Sequence, residues 1–91
     1  MKIGASIVVH GRVQGVAFRH YTCVRARELG ITGWVRNLPN GSVAGLFEGE
    51  EGAVRSMVDW CHDGPPAAQV ERVDVRQVEY GGEFDGFEIA Y

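Results

Sequence analysis

The sequence predicts an α+β two-layer sandwich, an antiparallel sheet with two helices on one face. Five stretches with strand-like alternation are interrupted by two with helical spacing. Their order is strand, helix, strand, strand, helix, strand, with a short terminal strand. Two βαβ halves joined by a hairpin give the ferredoxin-like arrangement. A length of 91 residues suits one domain over residues 1–91, large enough for a single core without metals or staples.

The elements follow in chain order. Ile3 to Val13 reads as a strand, with Ile7 and Val9 on one side and Val8 and His10 on the other. Phe18 to Leu29 reads as a helix with Phe18, Thr22, Ala26 and Leu29 on its inner face, and Gly30 stands where a helix end favours positive φ. Thr32 to Leu38 is a short strand, the Pro39-Asn40-Gly41 group a turn, and Ser42 to Gly49 the return strand. Glu51 to His62 is a helix, because Val54, Met57, Val58 and Cys61 follow i, i+3, i+4, i+7. Its acidic start suits the helix dipole, and Gly64-Pro65-Pro66 stops it. Val70 to Tyr80 alternates imperfectly, and Phe84 to Tyr91 is expected as the closing strand.

Composition narrows the function. A net charge of -3 argues against a nucleic-acid or anionic-membrane surface, which needs a basic excess. It leaves room for a local basic pocket. No targeting segment or long apolar run is visible, so a cytoplasmic protein is expected, and a monomer. Cys23 and Cys61 are too few for a disulfide framework and are expected reduced, although antiparallel helices could bring them near each other. His10, His20 and His62 show no metal spacing, and no metal or cofactor is expected. The acidic run Glu48 to Glu51 reads as a solvated loop and helix start. Trp34, Phe47 and Trp60 read as core or half-core aromatics.

The stretch from Gly11 to Arg19 links the first strand to the first helix. Unpaired N–H groups at a helix start, together with the dipole, form a ready anion site. Gly11 and Gly15 let the loop curl so that several N–H groups converge. Arg19 is placed to donate a forked pair of hydrogen bonds to a phosphate. The pattern is neither a Walker A sequence nor a dinucleotide fingerprint. Spacing alone leaves two readings open: an anion cradle, or a glycine-bearing turn with an exposed arginine at its rim.

The segments GRVQGVAFR, Gly11 to Arg19, and GWVRN, Gly33 to Asn37, resemble both motifs of the acylphosphatase family. The likeness continues through LFEGEEGAV, GPPAAQVERVDV and FDGFEIAY, and so covers nearly the whole chain. The resemblance implies hydrolysis of the carboxyl-phosphate bond of small acyl phosphates to a carboxylate and inorganic phosphate, without a metal. It makes Arg19 the substrate-binding arginine and Asn37 the catalytic asparagine. It makes Gly11, Arg12, Val13, Gln14, Gly15 and Val16 the phosphate cradle. An acyl phosphate carries a stable leaving carboxylate, so positioning and charge stabilisation are the protein's main tasks. The amide oxygen of Asn37 can orient a water, but it is no base near neutral pH. Within the cradle, Arg12 and Gln14 read more as braces or rim residues than as ligands. Arg36 alternates to the opposite strand face, and a side chain at Gly15 is expected to crowd the loop or the phosphate.

Two other classes compete. One is a binding module that keeps the pocket for phosphate or ligand sensing, or that comes from a larger protein such as the hydrogenase maturation factor resembling this family at its N-terminus. The presence of both Arg19 and Asn37 favours the enzyme. The other is an RNA-binding sheet, which the acidic charge and missing aromatic pattern disfavour.

Overall fold

The computed structural model describes residues 1–90. Its elements are β1 (Lys2–Arg12), α1 (Phe18–Glu28), β2 (Thr32–Asn37), β3 (Val43–Glu50), α2 (Glu51–Asp63), β4 (Gln69–Val78) and β5 (Phe87–Ile89). The sheet order is β4-β1-β3-β2-β5. The first four strands in that order pair antiparallel. β5 adds a parallel pairing to β2, with Gly33 opposite Phe87 and Val35 opposite Ile89, so the sheet is mixed at that edge.

Alternation decides which side of the sheet is covered. Ile7 and Val9 of β1, Val35 of β2, and Val43 and Phe47 of β3 are buried beneath the helices, whereas Val8 and His10 point to the more open face. α1 supplies Phe18, Thr22, Cys23 and Ala26 to this core; α2 supplies Val54, Met57 and Cys61. Each fully buried side chain of Val or Phe size removes about 1.5–3 kcal/mol worth of apolar surface from water. Thr22, the polar residue on the inner face of α1, is accommodated because its hydroxyl donates to the Phe18 carbonyl at 2.8 Å. Phe18 meets Trp60 with ring centroids 5.5 Å apart, which joins the helices, and Phe47 stacks on Phe87 at 5.8 Å.

Two expectations change. Among the described residues the closing strand spans Phe87–Ile89, shorter than Phe84 to Tyr91, and Tyr91 lies outside the described residues. The reason is distance. β4 and β5 lie at opposite edges of the sheet, so residues 79–86 are used as a strap between them. Glu48 is not in a solvated loop. It sits inside β3, is 3% exposed, and its carboxylate accepts hydrogen bonds from the strap amides of Gly81 (2.8 Å) and Gly82 (3.1 Å). The break in alternation between Val70 and Val73 of β4 reflects a register shift opposite His10 and Gly11. Gly11 takes φ +126° there, and a Cβ at that position would run into the Gln69 carbonyl oxygen.

Candidate active site

The strand register places Arg12, Asn37 and Val43 at one end of the sheet, and Lys2, Glu48 and Val78 at the other. The first end carries a cavity of about 280 Å³. Its walls come from three separate stretches: Val13 to His20 at the β1–α1 turn, Asn37 at the end of β2, and Ile89 of β5.

The turn has an unusual backbone. Gly15 has φ +74° and Ala17, the residue that caps α1, has φ 61° and ψ 25°. Left-handed alanine costs about 1–2 kcal/mol. Such residues curl a chain so that consecutive N–H groups turn inward. A Cβ at Gly15 would meet nothing within 4 Å, so crowding of the loop is not why glycine stands there; the positive φ is. α1 has no side-chain cap and no acidic residue in its first turn, which leaves the positive end of its dipole uncompensated by any carboxylate of that turn. Arg19 lies in this turn and lines the cavity.

Asn37 faces the helix side of the sheet like Val35, two residues before it, whereas Arg36 is exposed on the other face, over the Trp34 ring at 5.2 Å. The Asn37 Oδ1 atom is buried and, among the described residues, has no hydrogen-bond partner. A buried orphan acceptor costs roughly 1–3 kcal/mol. Asn37 lines the same cavity as Arg19.

Of the expected site residues, the structure brings Val13, Gly15, Arg19 and Asn37 together in the cavity wall. The other four lie elsewhere. Gly11 occupies the β1–β4 irregularity, and Arg12 is an exposed strand end. The side chain of Gln14 donates to the carbonyls of Leu38 (2.8 Å) and Ser42 (2.9 Å), which ties the turn to the hairpin that carries Asn37. Val16 packs its side chain against the core. Sequence reasoning missed Ile89 and gave His20 only a remark. Ile89 has no local signal, because it reaches the cavity through the parallel pairing of β5.

Cys23, Cys61 and His10 do not line this cavity. Cys23 and Cys61 are buried and free; the Cys23 thiol points to the Phe87 carbonyl at 3.7 Å, and burial pushes the Cys61 thiol up to about 12, so it stays protonated. The Nε2 of His10 lies 3.0 Å from the Asp74 carboxylate. No group of three His, Cys, Asp or Glu among the described residues has the geometry to hold a metal ion.

Known proteins share this fold. The acylphosphatase family model matches residues 5–89. The chain is 56% identical to the acylphosphatase of Geotalea uraniireducens, over all of both chains. It is 54% identical to that of Geobacter metallireducens, over all of this chain and 98% of that one. Among solved structures, the acylphosphatase of Bacillus subtilis superposes with a TM-score of 0.94 at 35% identity, over 98% of this chain and 99% of that one. The chain therefore belongs to the acylphosphatase family of hydrolases.

Proposed function

We propose that the cavity hydrolyses small acyl phosphates to a carboxylate and inorganic phosphate, with Arg19 and Asn37 as its catalytic residues and no metal. The observation that carries this reading is the buried, unsatisfied Oδ1 of Asn37 in the wall that also holds Arg19. Arg19 and the amides of the turn from Val13 to Ala17 hold the phosphoryl oxygens, and strengthen as charge builds there in the transition state. The Asn37 Oδ1 accepts a hydrogen bond from a water and aims it at phosphorus, in line with the acyl oxygen. The new P–O bond forms as the old one breaks. The bonding pair leaves with the carboxylate, and the water proton passes to a phosphoryl oxygen. The leaving carboxylate needs no proton, so the reaction requires no general acid.

Hydrolysis of benzoyl phosphate in EDTA tests this. Wild type is expected to turn over. Asn37→Ala should lose at least about 100-fold in kcat while inorganic phosphate still inhibits, as expected for loss of a group that acts on the water. Arg19→Ala should lose both turnover and phosphate inhibition. A folded but inactive wild type, or an Asn37→Ala variant with full activity, overturns the proposal.

A further inference from the structure

A second hollow adjoins the first. It is a groove of about 380 Å³ between α1 and β5, and it shares His20 and Ile89 with the phosphate cavity. We propose that this groove holds the acyl half of the substrate and favours an uncharged, apolar acyl group. The proposal rests on the acyl phosphate reading above.

Continuity comes first. Two hollows with common walls admit one molecule whose ends differ in chemistry. Arg19 marks the phosphoryl end. Val24, in the groove, stands one turn along α1 from His20, which lines both hollows, a rise of about 6 Å. A benzoyl ring extends further from its phosphorus than an acetyl methyl does.

The groove's surface is the second argument. His20, Cys23, Val24 and Arg27 form one stripe of α1, at i, i+3, i+4 and i+7. Val24 is 43% exposed, a β-branched apolar side chain left outside the core. Opposite it stands Ile89. The floor is fixed, because Arg27 donates to the Phe87 carbonyl at 3.1 Å and the Cys23 thiol points to the same oxygen. The formal charges of Arg27 and Glu88 cancel, so the groove gives a second carboxylate no net attraction, while Val24 and Ile89 remove hydrocarbon from water.

The test compares kcat/KM for benzoyl phosphate and acetyl phosphate. Val24 is exposed and on a helix surface, so Val24→Asn keeps the fold. The benzoyl-to-acetyl ratio should fall about fivefold in that variant, in keeping with the loss of one apolar contact in a specificity pocket. Inhibition by inorganic phosphate, which does not reach the groove, should move less than about twofold. In a second variant, Glu88→Lys, the ratio of succinyl phosphate to benzoyl phosphate should rise several-fold, because the groove then carries net positive charge. Turnover by wild type with both ratios unchanged in the variants overturns the groove assignment alone. No turnover of any of these compounds by wild type overturns the acyl phosphate reading and the groove with it.

Discussion

The two helices lie on the same face of one sheet and begin in opposite ways. α2 starts from Glu50 in an extended conformation, carries Glu51 in its first turn, and has its first amide bonded to the Met1 carbonyl at 2.9 Å. Its acidic start is the kind of side chain that the dipole favours. α1 starts from left-handed Ala17, has no acid in its first turn and places Arg19 there instead. Both choices cost free energy, in backbone strain and in a cation at the wrong end of a dipole. The difference separates two purposes. α2 begins with an acid that its dipole favours, whereas α1 begins with an arginine and no acid, as the proposed phosphate site requires.

Gly15→Ala breaks the contrast most strongly. The new methyl has open space around it, so the cost is backbone strain alone, about 1–2 kcal/mol in a denaturant titration. Activity should fall by roughly tenfold or more as the turn relaxes away from its curled form. Unchanged stability and activity would show that φ +74° is not required.

His20→Asp sharpens the contrast by giving α1 the kind of acid that α2 already has. Thermal stability should rise by an amount on the order of 0.3–1 kcal/mol, the usual effect of an acid in a first turn. Inhibition by phosphate should weaken several-fold in the same protein, through like-charge repulsion. The opposed signs are the point; if both quantities move together, the start of α1 is not reserved for an anion.

Glu51→Gln has the smallest effect and is confined to α2. Its hydrogen bond and charge pairing with Arg55 hold the Glu51 carboxyl below the ordinary value of 4.5. A carboxyl lowered in the folded state adds stability above its ordinary value, and that stability is lost as pH falls through the lowered one. The variant should therefore melt slightly below wild type at neutral pH, and the two curves should converge in acid. Activity should not change.

How much of this was legible depends on the range of the contacts involved. Alternation put Ile7 and Val9 on one side of β1, and helical spacing grouped Val54, Met57 and Cys61, because each pattern is local. Gly15, Arg19 and Asn37 were legible through two short motifs. Ile89 was not, since a three-residue strand enters the cavity only through a neighbour distant in sequence. Glu48 misled for a related reason. A glutamate in an acidic run reads as solvated unless its partners are known, and here they are two backbone amides on a strap that carries no sequence signal.

That strap has a consequence for how such a chain tolerates change in length. It runs along the end of the sheet remote from the cavity, and Glu48 fastens it partway. Closing a longer loop is cheap, about 0.6 kcal/mol for each doubling. Residues inserted after the Gly82 tether would lengthen a belt whose buckle stays shut, while β5 still meets β2. The turn from Val13 to Ala17 has no such slack, since Gln14 laces it to the neighbouring hairpin. Tags, epitopes and evolutionary insertions therefore belong at Glu83 and Phe84, and the opposite rim is where the length of the chain is held fixed.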